Sequence, residues 1–242
     1  MKWNRTAVQQ FFNKKSTTYA NGPFVRYLFT AREAAATHGD QLSGRHVLDL
    51  GCGTGRLYDH LKRIYPEGGF TYLGVDPSAG MLAASTIPVA NQYCGVADDL
   101  MDYEDSFDRI YLLGVTTYLL PEQLLHDLKT LALKLSPDGQ LIIHFTRKNA
   151  LEVRLRQWLR PLLRRLVPDR GVVAGDFSIF PYAYDEARNL LPDWRVLRYE
   201  PLPATVPFLQ LMSLTLVIWC SRQLGKWAPD WMRPDFLIVF GR

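Results

Sequence analysis

Three observations predict a doubly wound α/β sheet for this chain. A short apolar run, Val47-Leu48-Asp49-Leu50, leads directly into a turn with glycine at 51, 53 and 55. From 45 to 145 apolar strand-like runs alternate with helical segments, as a parallel sheet with crossover helices demands. The length of 242 residues suits one compact domain with additions, long enough to bury a full core.

Residues 1–44 read as a helical, partly apolar lid carrying Phe11, Phe12, Tyr19, Phe24, Tyr27, Leu28 and Phe29. Val47, Leu48 and Leu50 then read as a strand covered on both faces. Gly51, Gly53 and Gly55 remove the Cβ atoms that would keep a ligand from the main chain, and a helix starting near Gly55 aims its N-terminus at that ligand. A dinucleotide fingerprint has glycine at its first, third and sixth places. Here the third glycine is at the fifth place and Arg56 holds the sixth, which argues against that reading. Tyr72 to Val75 is the next apolar strand, ending at Asp76-Pro77-Ser78, with Met81 and Leu82 on the following helix. Cys94 to Leu100, including Asp98 and Asp99, follows a third strand, and Phe107 to Gly114 forms a fourth. A helix from Pro121 to Leu135 precedes Ser136-Pro137-Asp138-Gly139, where the Asp-Gly pair is expected to supply a left-handed turn residue, and a fifth strand ends near His144. Further on, Asp185 to Leu191 reads as a helix, Trp194 to Tyr199 as strand six and Phe236 to Phe240 as the last strand.

The sequence V-L-D-L-G-C-G-T-G resembles motif I of the class I S-adenosylmethionine (SAM)-dependent methyltransferases, and the later signals arrive in that family's order from about Arg45 to Phe145. The resemblance implies a Rossmann-like seven-stranded sheet, mostly parallel, whose last strand runs antiparallel between strands five and six. It implies SAM as cofactor, with Asp49, Gly51, Cys52, Gly53 and Gly55 at the glycine loop. Asp76 would hold the ribose hydroxyls, with Pro77 and Met81 beside it; capping of the next helix is the alternative role for this carboxylate. Asp98 would meet the adenine amine while backbone near Asp99 or Leu100 meets the ring nitrogen, unless the two aspartates cap the following turn. Leu113 and Gly114 would border the methionine part, with Thr116, Thr117 and Tyr118 opening toward substrate.

Composition bounds the remainder. The net charge of +4 is local: residues 146–170 hold eight Arg and Lys against two acidic residues. The domain reading is therefore a lid at 1–44 and a methyltransferase domain at 45–242 with insertions at about 146–178 and 204–234. The first insertion is amphipathic and basic, interrupted by Pro161; the second is apolar from Val206 to Cys220 and followed by Trp227 and Trp231. Basic residues beside tryptophans suit an interface with lipid or an amphiphile, and a buried helix or a wall of the substrate pocket is an equal alternative. Cysteines at 52, 94 and 220 make neither a disulfide framework nor a metal cluster, so no metal is implied and a reducing cytoplasm fits. Met1 to Gln10 lacks the apolar stretch of a secretory signal.

His144, near the end of strand five, is the histidine best placed to act as a base or to orient substrate, with a structural histidine the alternative, and Tyr19 is the lid residue that could contact cofactor or substrate or simply pack the lid onto the core. Tyr118, Tyr182 and Tyr184 are candidates for the pocket wall. His60 reads as packing and His126 as solvent-facing among polar Asp127, Lys129 and Thr130. Gly114-Val115-Thr116-Thr117-Tyr118 is not the Asn/Asp-Pro-Pro-aromatic motif of enzymes that methylate base amino groups. The expected acceptor is a small apolar or amphiphilic molecule, met at a membrane surface if the insertions touch lipid, and nucleic acid is the less favoured partner. An RNA or DNA methyltransferase using the 147–170 helix, and a non-catalytic partner-binding protein, are the rival readings. Either insertion could also serve as a contact between copies of the chain.

Overall fold

The computed structural model describes residues 5–19, 23–151, 153–155, 158, 179–203, 219, 223 and 227–242. Seven strands form one sheet: β1 His46–Leu50, β2 Thr71–Val75, β3 Gln92–Tyr93, β4 Phe107–Leu112, β5 Leu135–Thr146, β6 Arg195–Pro201 and β7 Asp235–Gly241. Their order is β3-β2-β1-β4-β5-β7-β6. The first five pair parallel, and β7 pairs antiparallel with both β5 and β6, the Rossmann-like arrangement that the sequence implies. The chain moves outward from β1 to β3 and then returns to place β4 on the other side of β1. That reversal opens a crevice beyond the carboxyl ends of β1 and β4.

The helices are α1 Arg5–Lys15, α2 Pro23–Ala36, α3 Arg56–Ile64, α4 Ala79–Ala83, α5 Pro121–Leu133 and α6 Tyr184–Arg188. Strand alternation divides the sheet's side chains between two cores. Leu48, Ile110, Leu112, Leu141 and Ile143 pack on one face against Leu124, Leu128 and Leu131 of α5. Val47, Tyr111, Ile142 and Val239 pack on the other face with Leu57 and Leu61 of α3 and with Ala35 and Ala36 of α2. The strands are thus apolar on both sides because both sides are covered.

The segment before β1 has two parts. α2 shares the second core, and Arg198 donates to the Ala36 carbonyl at 3.1 Å. α1 lies over the crevice: Gln9 donates to the Pro77 carbonyl at 2.5 Å, and the Asn13 carboxamide oxygen accepts from the Ser78 hydroxyl at 2.7 Å and the Gly80 amide at 2.9 Å.

Gly139 corrects an expectation, because it is not in the left-handed region and lies within β5, where the register with β4 shifts. Glycine is required there by proximity: a Cβ would stand 2.6 Å from Leu135 Cγ. Most of the two insertions falls outside the described residues. Of the tryptophans, Trp158 is 76% exposed, Trp219 59%, Trp227 88% and Trp231 51%. Among the described residues no helix is long and apolar enough to cross a membrane.

Candidate active site

The glycine loop follows β1 at the mouth of the crevice. Gly51 and Cys52 donate to the Val75 carbonyl at 2.7 and 3.1 Å, which fastens the loop to the end of β2. Its glycines answer different demands. Gly51 has φ of 77°, and a Cβ would strike Val115 at 2.2 Å. Gly53, with φ of 54°, faces the open cleft, where Met81 Cε at 3.7 Å is the nearest neighbour. Gly55 faces away: its Cβ would meet Ser85 and Thr86 oxygens at 2.7 Å, so it packs the start of α3 and does not line the cleft.

The cleft has a volume of about 150 Å³ and is partly open to solvent. Asp49, Gly51, Cys52, Gly53, Asp76, Pro77, Met81, Leu113, Gly114 and Tyr19 all line it. Asp76 is 8% exposed; its Oδ1 accepts from the Ser78 amide at 2.8 Å and its Oδ2 from the Gly53 amide at 2.9 Å. Burial pushes its carboxyl above the usual range while those two donors pull it back. Each oxygen retains a lone pair for a further donor. Asp49, buried beneath the loop, is pushed up to about 7 by burial, opposed by the Tyr72 hydroxyl that donates to it at 2.6 Å and by the Arg32 charge. Burial likewise raises the Cys52 thiol strongly, which keeps it protonated and unreactive.

Several candidate residues are not brought to the cleft. His144 is buried in β5, with Nε2 3.7 Å from Asp235 Oδ1. The turn at Thr116–Tyr118 covers the end of its strand, and Thr116 donates to the His144 carbonyl at 2.8 Å. That bond also buries Thr116, so it does not open toward substrate, and Thr117 is absent from the lining. Asp98, Asp99 and Leu100, like Gly55, stand outside the lining. Asp98 pairs with His126 at 2.7 Å, Asp99 accepts from the Val96 amide at 2.8 Å, and Leu100 is buried in the core. Backbone and small side chains of Gly95, Val96 and Ala97 form that wall instead. Tyr118 lines the cleft, whereas Tyr182 packs on Phe145 and Tyr184 on Tyr199.

Sequence reasoning missed Arg32 and Asp127. Arg32 of α2 passes over the Phe29 ring at 4.5 Å and reaches Gly114, where a Cβ would come within 2.6 Å of its Nη1. Its Nε is buried in the cleft without a hydrogen-bond partner among the described residues. An Arg-Glu pair in an alanine-rich helix was the available signal. Asp127 was placed among solvent-facing residues of α5, yet it is 3% exposed and lines the cleft; its i+3 and i−1 relation to Leu124 and Leu128 puts it on the buried face. α1 and the turn after it bring aromatic rings to the site: Phe12 meets Tyr118 edge-on at 5.2 Å and Tyr19 at 5.6 Å.

The chain matches the family described as "Methyltransferase domain" over residues 23–214, most of its length. With the sheet order and the glycine loop, this places the chain in the class I SAM-dependent methyltransferases. Particular relatives are of several kinds. The tRNA U34 carboxymethyltransferase of Idiomarina loihiensis is 33% identical over 121 residues, covering 46% of this chain and 36% of that protein. The ubiquinone biosynthesis O-methyltransferase of Bradyrhizobium diazoefficiens is 28% identical over 114 residues, 45% of this chain and 42% of that one. The chain thus spans well under half the length of these curated relatives. Magnesium protoporphyrin IX methyltransferase from Synechocystis, solved with bound SAH, superposes with a TM-score of 0.62 at 18% identity over 99% of this chain and 100% of that one, a likeness of fold.

Proposed function

We propose that the protein transfers a methyl group from SAM to a small apolar or amphiphilic acceptor. The observation that carries this reading is one cleft with two unlike walls: a polar one of Asp49, Asp76, Arg32 and the glycine loop, and an aromatic one of Phe12, Tyr19 and Tyr118. The polar wall fits SAM. Asp76 would accept the ribose hydroxyls, and the unpartnered Arg32 Nε would meet the methionine carboxylate, since a buried guanidinium N–H otherwise loses its hydrogen bond. When bound, SAM supplies a methyl group on a sulfonium. The chain's contribution is to hold that group in line with the acceptor and exclude water through the lid. Among the described residues the aromatic wall of Phe12, Tyr19 and Tyr118 is what would align the acceptor.

Exposed Trp219, Trp227 and Trp231 support a peripheral contact with lipid, where an amphiphilic acceptor would be collected. A second reading is an RNA acceptor, which the sequence made the less favoured partner: one relative is named for tRNA, and the 146–170 segment is basic. Incubation of the purified protein with methyl-labelled SAM and cell extract separates the readings. Label in the organic-soluble small-molecule fraction is expected. Label confined to RNase-sensitive material would establish the nucleic-acid reading instead, and folded protein that does not bind SAM would end both.

A further inference from the structure

We propose that the end of the sheet from which both insertions spring docks on an anionic lipid bilayer, with Trp227 and Trp231 as its anchors. This rests on the amphiphilic-acceptor reading above and deepens it by naming the surface that delivers the acceptor. Topology gathers the pieces. β5 runs parallel to β4, so Thr146 leaves the sheet at the end where Leu113 and Gly114 line the cleft. β7 runs antiparallel to β5 and to β6, so Asp235 faces Thr146 and Phe236 faces Pro201 at that same end. The chain returns from the first insertion there too, where the Tyr182 amide donates to the Thr146 carbonyl at 2.8 Å.

Arg147 and Arg233 fasten the roots of the two insertions together. The Arg147 amide donates to the Pro234 carbonyl at 2.6 Å and its Nε to the Arg233 carbonyl at 3.2 Å, while its Nη1 lies 3.3 Å from Asp230. Arg233 Nη1 donates to the Leu202 carbonyl at 3.2 Å. Trp231 thus stands in a turn, Asp230–Met232, that is tied to the start of the first insertion. Trp158, Trp219, Trp227 and Trp231 are each more than half exposed, whereas Trp194, outside the insertions, packs against the core. At a bilayer interface an indole buries its ring while its N–H stays wet. Charge points the same way. Residues 146–178 and 204–234 carry eleven Arg and Lys against four acidic residues, and the rest of the chain seventeen against twenty. An anionic surface therefore attracts this end and not the remainder. The uncharged stretch from Val206 to Ile218 favours lipid over RNA, whose phosphates give it no apolar partner.

The test is co-sedimentation of the whole protein with vesicles of phosphatidylcholine, alone or mixed with an equal part of phosphatidylglycerol. Binding to the anionic vesicles is expected to be tighter by about tenfold or more, since each basic residue near such a surface adds roughly fivefold, and to weaken as salt is raised. Trp227→Ala combined with Trp231→Ala should lose about tenfold, the scale of burying one apolar side chain, with S-adenosylhomocysteine binding unchanged by calorimetry. No sedimentation with anionic vesicles at low salt overturns the proposal, as does undiminished sedimentation of the double variant, or binding of tRNA in place of the vesicles. Should the double variant not fold, Trp227→Ala, at the more exposed position, decides in the same terms. Vesicle binding requires neither SAM nor acceptor. Protein that ignores vesicles yet methylates an organic-soluble molecule overturns the docking alone, and protein that docks without binding S-adenosylhomocysteine refutes the SAM reading of the cleft alone.

Discussion

Asp76 holds the site together at the scale of single residues. It staples the end of β2 to the glycine loop through Gly53 and starts the next turn through Ser78. If Asp76 accepts the ribose hydroxyls as proposed, Asp76→Ala should weaken SAM binding by about 1–3 kcal/mol. Calorimetry checks this; unchanged affinity would refute the ribose role. Asp49 gives a pH dependence instead. Its carboxyl sits near 7 in the fold against about 4 in the unfolded chain, so the folded state holds the extra proton between those values. Its contribution is fully present below about pH 4 and is lost as pH rises through about 7. Thermal melts of the ligand-free protein should therefore fall across that window, and Asp49→Asn should flatten the slope by about 2–4 kcal/mol over the range. Asp49 was legible in the sequence because it lies two residues before the loop, and Asp76 because it ends the next apolar strand at the family's spacing. Arg32 and Asp127 were not, since each reaches the cleft only after its helix is docked.

The lid helix and the short α4 form one unit at the scale of elements. Ser78 caps α4 by accepting from the Met81 amide at 3.2 Å, while its hydroxyl proton goes to Asn13 of α1. The same Asn13 oxygen accepts from the Gly80 amide, so one side chain on the lid holds two groups at the start of α4. Asn13→Ala should cost about 1 kcal/mol of local stability, in the range of a lost helix cap. Amide exchange across Arg5–Lys15 should quicken and SAM affinity should drop several-fold, with global unfolding little changed. Exchange rates equal to those of the unsubstituted protein would show that the lid is held elsewhere. The helical character of this segment was readable from its apolar spacing. Its division into a cleft-covering α1 and a core-forming α2 was not, because Ala35 and Ala36 look unremarkable until α3 packs on them.

The sheet sets the whole molecule. Insertion of β7 between β5 and β6 carries Phe236 and Phe240, both with no exposed surface, into the first core. Phe240→Ala should destabilise the fold by about 3–5 kcal/mol, read as a lowered midpoint in chemical denaturation. A loss below about 1 kcal/mol would mean that the core collapses around the vacancy. This pairing joins the C-terminal strand to strands formed nearly one hundred residues earlier in the chain, Leu141 facing Phe240 and Ile142 facing Val239.

The sequence by itself determined the strand order and the cofactor class through its resemblance to the methyltransferases, and the placement of Asp49, Gly53 and Asp76 through motif spacing and the positive-φ glycines of the loop. Tertiary structure alone decided which polar side chains enter the cleft. His144 was withdrawn by the turn that covers its strand, Asp98 was drawn outward to His126, and Arg32 and Asp127 were brought in from separate helices. Whether a polar side chain is buried depends on what packs against it from distant parts of the chain, and local periodicity carries no record of that.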